Sequence, residues 1–157
     1  MATLHLMCGL PCSGKTTRAK QLELEHSALR LTPDEWHTRL YGQDALEPEH
    51  DDRHNLIESM LWEVAARILS LETNVILDFG FWGKWERDNY RSWAAEVGAS
   101  SEIHFLDVPN HELLERLKAR NTQLPEGAFK ISEAQLKAWM GIFEVPSADE
   151  LERREVV

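Results

Sequence analysis

The sequence predicts an α/β fold: a three-layer sandwich with a parallel sheet of four to five strands and helices on both faces. Three observations predict it. A short apolar run, Leu4-His5-Leu6-Met7-Cys8, leads through a glycine-containing turn straight into a helical segment. Further apolar runs then alternate with helical patterns along the chain, the signature of a parallel sheet joined by crossover helices. Finally, Asn74-Val75-Ile76-Leu77-Asp78 is apolar without alternation, as a strand buried on both faces must be. The 157 residues make one domain the default, 43% of them are hydrophobic, and no apolar run is long enough to span a bilayer. No charged-then-apolar leader precedes Thr3, and the two cysteines, Cys8 and Cys12, are expected as free thiols, so the expected location is the cytoplasm.

The turn after the first strand carries the most chemistry. Gly9-Leu10-Pro11-Cys12-Ser13-Gly14-Lys15-Thr16 fits G-x-x-x-x-G-K-[ST], the phosphate-binding loop, here in its strand-to-helix setting. Gly9 and Gly14 can take backbone angles closed to other residues, so successive N–H groups, from Gly9 through Thr17, point into one concavity. The first helix, expected over Thr17 to about His26, adds the positive end of its dipole. Lys15 is expected on the β- and γ-phosphates, and the Thr16 hydroxyl on Mg²⁺. The expected cofactors are therefore Mg²⁺ and a nucleoside triphosphate, ATP or GTP.

The remaining elements follow in order. Leu29-Arg30-Leu31-Thr32 reads as a second strand. Thr32-Pro33-Asp34-Glu35 then opens a helix over Trp36–Leu40, with proline in its first turn and acids behind it. Gln43 to His50 is a polar connection. Asp51 to Leu71 is the longest helical pattern, with Leu56, Met60, Val64, Ile68 and Leu71 as its apolar stripe, and His54 and Trp62 as packing beside it. Asp78 ends the buried third strand, on the rim where open α/β sheets place ligands, and can hold a water on Mg²⁺ as a Walker-B acid does. Phe79–Trp85 is an aromatic loop. Arg87 and Arg91 follow one turn apart, available to an acidic group of a substrate or to solvent. A fourth strand is expected over Ile103–Val108, then a helix from Pro109-Asn110 with Leu113, Leu114 and Leu117 inward. Asn121–Lys130 is irregular. Ser132 and Gln135 have capping-box spacing before a helix running to Phe143, and Val156-Val157 offer a short last strand.

Right-handed crossovers put the carboxyl ends of all parallel strands on one rim. The phosphate loop, Asp34 and Asp78 therefore converge on one cleft. The net charge of −10 argues against a grip on long nucleic acid, which ordinarily needs a basic face. Nothing in the sequence fixes an oligomeric state.

Gly9–Thr17, Thr32-Pro33-Asp34, Val75–Asp78, Arg116 with Arg120-Asn121, and Phe143–Pro146 with Asp149-Glu150 resemble the small P-loop kinases of the predicted-kinase AAA group. That group is itself similar to the polynucleotide 5′-kinase domain, chloramphenicol phosphotransferase and zeta-toxin kinases. The resemblance covers nearly the whole chain. It implies that Asp34 is the general base on an acceptor hydroxyl, that Arg116 and Arg120 are lid arginines facing the γ-phosphate, and that residues 116–132 form the lid. Asn121 is assigned a place near adenine. Polynucleotide kinases carry an arginine one turn after the catalytic acid, where this chain has His37. The implied function is transfer of the γ-phosphate to a hydroxyl of a small-molecule or nucleoside-like acceptor, with Trp36, Trp82 and Trp85 offering aromatic faces. A polynucleotide 5′-hydroxyl kinase and a nucleotide-sensing binding protein or ATPase switch are the alternatives.

Overall fold

The computed structural model describes residues 1–156. Four strands, β1 (Thr3–Cys8), β2 (Leu29–Leu31), β3 (Val75–Gly80) and β4 (Ser100–Phe105), form one sheet in the order β2-β3-β1-β4. All three pairings are parallel. The central strands are buried on both faces, as their unbroken apolar runs require. Leu4, Leu6, Val75 and Leu77 point into the main core, whereas Met7 and Ile76 meet Ala19 and Leu22 of α1 (Lys15–His26) on the opposite face. α2 (Pro33–Tyr41), α3 (His50–Ser70) and α4 (Lys84–Glu96) follow β2 and β3. α5 (Asn110–Thr122) and α6 (Glu133–Ile142) close a smaller core of Leu10, Leu113, Leu117, Ile131 and Leu136 beside the phosphate loop. The Ser132–Gln135 capping box is complete at the start of α6.

Two expectations shift. The buried face of α3 is Ile57, Leu61, Ala65 and Leu69, not the stripe beginning at Leu56. Leu56, Met60, Val64 and Leu71 face outward, and of the expected stripe Ile68 alone packs partly against the core. Two apolar stripes with the same period lie side by side on this helix, and the one with a small residue, Ala65, is the one turned to the core. β4 begins at Ser100 rather than Ile103 and stops at Phe105, because it pairs residue for residue with β1 from Thr3↔Ser100 to Cys8↔Phe105. Beyond Cys8 the neighbouring strand turns into the phosphate loop and leaves nothing to pair with.

The C-terminal segment is strapped back onto the sheet. Arg87, fully buried on α4, forms an ion pair with Glu150 at 2.8 Å and donates to the Phe81 carbonyl. Arg91, also buried, donates to the Ser101 hydroxyl and to the carbonyls of Glu150 and Glu152. Neither arginine is available to a substrate, which corrects the expectation for this pair. Glu150 lies in a 3₁₀ turn (Asp149–Leu151), and Arg154 then makes an antiparallel bridge to Ser101 at the outer edge of β4. Val157 of the expected terminal strand lies outside the described residues. No helix among the described residues is long and apolar enough to cross a membrane.

Removing one member of a buried ion pair strands the other charge, at a cost of about 3–5 kcal/mol. Arg87→Met is therefore expected to lower the urea midpoint by an amount in that range at unchanged slope. Glu150→Gln, which keeps a hydrogen-bonding partner for the guanidinium, is expected to lower it less.

Candidate active site

β1 delivers the chain to the phosphate loop at the centre of the rim, where the Gly9 N–H donates to the Gly80 carbonyl at 2.9 Å. Cys12 and Gly14 both have positive φ, +69° and +92°. These two left-handed residues turn the backbone around the concavity, and Gly14 caps α1. A Cβ on Gly9 would come within 2.7 Å of the Ser13 Oγ, so this approach requires glycine. The Lys15 ammonium folds back onto the Leu10 carbonyl at 2.9 Å. Burial draws its pKa below the ordinary lysine value, against the pull of Asp78 and Asp34. Two buried polar atoms at this loop, Ser13 Oγ and Arg120 Nε, have no protein partner. A glycine-lined cradle, a helix N-terminus, a lysine satisfied only by its own loop and two orphaned polar atoms fit a polyphosphate.

Asp78 stands at the mouth of this cradle. Its Oδ2 accepts from the Thr16 hydroxyl at 2.6 Å and from the Thr32 hydroxyl at 3.0 Å. Thr32 also receives a hydrogen bond from Arg30, which is itself held by Glu23 and Glu35. Thr16 and Asp78 thus present adjacent hard oxygen donors, the donor type that Mg²⁺ takes. The site residues read from the two ends of the chain's first half, 62 positions apart, are in direct contact.

Asp34 enters from the first turn of α2, where Pro33 sets the N-terminus and Thr32 keeps an extended backbone. Its carboxylate is half exposed and lies 3.8 Å from His54 Nε2. Partial burial and the nearby Asp78 raise its pKa, while His54, Lys15 and Arg120 oppose the shift. The Thr32–Asp78 hydrogen bond, two residues before Asp34, brings the start of α2 to the mouth of the same cleft. His54, expected as packing, is instead its neighbour. Burial pulls the His54 pKa down, but a 3.1 Å contact with Glu58, together with Asp34, outweighs it and leaves the imidazole favouring its charged form.

Behind Asp34 lies a buried polar post that sequence reasoning missed. Asp44, from the polar connection, accepts from His37, His50 and Arg53 at 2.6–2.9 Å. These bonds hold its carboxyl well below the usual carboxylate range despite burial. His37 is fully buried and also contacts His54 Nδ1 at 3.0 Å. Ring nitrogens of His37, His50 and His54 lie within 4.8 Å of one another. The rings are close to face-to-face, however: His37 and His50 are 4.5 Å apart and tilted by 30°, and His50 and His54 differ by 17°. Asp44 and the His37–His54 contact already occupy both ring nitrogens of His37 and Nδ1 of His50. The post packs edge-on against Phe129 from the segment before α6.

Arg116 and Arg120 both reach the phosphate loop. Arg116 donates to the Cys12 carbonyl and pairs with Glu112; Arg120 contacts the Cys12 thiol at 3.4 Å and donates to the Phe129 carbonyl. Asn121 does not face a base site: its amide donates to the Ile131 carbonyl and clasps the 123–132 segment to α5. Of the three tryptophans assigned to the cleft, Trp82 is a fastener. Its indole N–H donates to the Gly9 carbonyl and its ring packs on Trp139. Trp36 is half exposed on α2, and Trp85 lines a cavity between α3 and α4. Cys8 and Cys12 are free thiols.

No curated protein matches the sequence. Among solved structures, a chain of the Pnkp1/Rnl/Hen1 RNA repair complex superposes with a TM-score of 0.72 over 99% of this chain, at 20% identity. This chain spans 49% of that one. Kti12 of Chaetomium thermophilum, solved with ADP-AlF3, gives 0.68 at 21% identity over 92% of this chain and 81% of its own. A gluconokinase from Sinorhizobium meliloti 1021 gives 0.66 at 19% identity over 99% and 80%. At these identities the likeness is one of fold, that of the P-loop kinases. The sequence profile of one family, described as AAA domain, matches residues 4–146, and the chain belongs to that family.

Proposed function

We propose that the protein is an ATP- and Mg²⁺-dependent phosphotransferase that moves the γ-phosphate to a hydroxyl of a small-molecule or nucleoside-like acceptor. One observation carries this reading. Asp34, half exposed, stands two residues beyond Thr32, whose hydroxyl bonds the same Asp78 oxygen that holds Thr16 of the phosphate loop. A binding protein or switch has no need of an uncoordinated carboxylate there; an alcohol kinase needs one as its base.

In this mechanism the loop amides and Lys15 bind the β- and γ-phosphates and fix the transferring group in line with the acceptor. Mg²⁺, which Thr16 and Asp78 would hold directly or through water, supplies charge neutralisation on the phosphates. Asp34 orients the acceptor hydroxyl and takes its proton as the new O–P bond forms and the bond to the ADP oxygen breaks. Arg120, with Arg116 beside it, compensates charge on the equatorial oxygens. The segment 116–132 serves as the lid that excludes water, within a single domain. A polynucleotide acceptor is disfavoured: His37, one turn after Asp34, is sealed and bonded to Asp44, and offers nothing to a phosphate. An oligonucleotide bearing a 5′-hydroxyl is expected to give no labelled product.

Asp34→Asn is expected to leave ATP affinity within about twofold and to lower transfer by 10²–10⁴-fold, roughly the range of general-base contributions. Unchanged turnover in a screen of alcohols with labelled ATP would remove Asp34 from the reaction. The raised pKa of Asp34 places the acid limb of the pH–rate profile above the ordinary carboxylate value. Activity is expected to fall as pH drops and Asp34 takes up a proton, and this limb is expected to disappear in Asp34→Asn. Asp78→Asn is expected to raise the Mg²⁺ concentration needed for half-maximal nucleotide turnover, measured by titration at fixed ATP.

A further inference from the structure

A cavity of about 600 Å³ opens between α3 and α4, beside the aromatic loop that follows β3. Its back wall is aromatic. Trp62 meets Tyr90 edge-on at 5.5 Å and Trp93 at 5.7 Å, and Tyr90 and Trp93 stand 4.8 Å apart, so the three rings form one continuous surface. Trp85, largely exposed, also lines the cavity.

Three carboxylates share this cavity: Glu58, Glu86 and Glu144. Glu58 spends one oxygen on His54. Glu86 and Glu144 have no side-chain hydrogen bond or ion pair among the described residues. No lysine or arginine lines the cavity. Burial, reinforced by Glu58, pushes Glu86 up to about 7, and burial first, then these two carboxylates, pushes up the Tyr90 hydroxyl. Glu86 and Glu144 thus stand beside aromatic rings with no cation in contact with them among the described residues. Acids and π-faces without a resident cation suit one ligand chemistry, a protonated or quaternary ammonium. One imidazole stands between the cavity and the reaction site. Glu58 on its wall and Asp34 in the cleft approach the same His54 Nε2, at 3.1 and 3.8 Å.

We propose that this cavity is the acceptor's subsite and that it binds an organic cation, so that the acceptor is a small alcohol carrying an ammonium group. The identity of the acceptor rests on the phosphotransferase reading above; the binding of a cation does not. The ammonium sits against the Trp62–Tyr90–Trp93 wall with Glu86 as counter-charge, and the hydroxyl extends past Glu58 to Asp34. A neutral sugar would leave the acids unpaired, and an anionic acceptor would be repelled.

The experiment is a calorimetric titration of the full chain, without nucleotide, with choline, tetramethylammonium and 3,3-dimethylbutan-1-ol, the neutral isostere of choline. Choline and tetramethylammonium are expected to bind saturably. The isostere is expected to bind at least about tenfold more weakly, the scale of a desolvated cation–π and charge contribution. Glu86→Gln and, separately, Glu144→Gln keep side-chain shape and are each expected to weaken choline binding without altering ATP affinity. Equal affinity for choline and its isostere, or no saturable binding by either cation, overturns the proposal. Labelled-ATP transfer assays run in parallel separate the two readings. Cation binding without transfer to any amino alcohol keeps the subsite and removes the kinase reading. Transfer to neutral alcohols in a protein that ignores choline does the reverse.

Discussion

The carboxylate of Asp78 is the constraint on which the cleft depends. It sits on β3, between β1 and β2 in the sheet, and one of its oxygens receives both Thr16 and Thr32. Thr16 belongs to the helix into which the phosphate loop leads, and Thr32 is the residue before the turn that presents Asp34. Asp78 does not end β3 as expected, since the strand runs on to Gly80; one acid two residues before the strand's end fixes the distance between the anion cradle and the candidate base. Strand order makes this possible: a loop and a turn separated in sequence by a whole helix flank the same central strand. The sheet supplies the rigidity, since β1 is buried throughout and β3 everywhere but Phe79.

A second carboxylate, Asp44, does for the outer half of the cleft what Asp78 does for the inner half. It gathers His37 from α2 with His50 and Arg53 from α3, so the helix carrying Asp34 cannot slide along its neighbour. Phe129 lies against the same histidines, while its carbonyl accepts from Arg120. The segment over the site is thus coupled at a single residue both to the arginine on the phosphate loop and to the post behind Asp34.

The sheet, the phosphate loop and Asp78 were legible because each is local: a spacing, an unbroken apolar run, an acid at a run's end. Asp34 was legible at the rim through the crossover rule, its role and the two arginines only through family likeness; the structure brings both arginines onto Cys12 of the loop. What stayed hidden was hidden for physical reasons. Leu56 and Ile57 head two stripes of identical period on α3, and periodicity cannot say which one meets the sheet. Arg87 and Arg91 read as open to an acidic group of a substrate or to solvent, because their partners lie some sixty positions away in the tail. Asp44 and His54 sit in an unremarkable polar stretch; Glu58 four residues after His54 was the one local hint. The cavity's aromatic wall comes from two helices, and no window of sequence contains it.

The tail carries a last consequence. The family match stops at residue 146, but the counter-ion of Arg87 is at 150 and the residue bridging to β4 is at 154. A fragment cut where recognition ends would seal one guanidinium in the interior without its partner and leave the backbone of an outer strand bare, an invitation to chain-to-chain pairing. The unit that folds is longer than the unit that is recognised, and expression boundaries drawn from homology would fall in the wrong place.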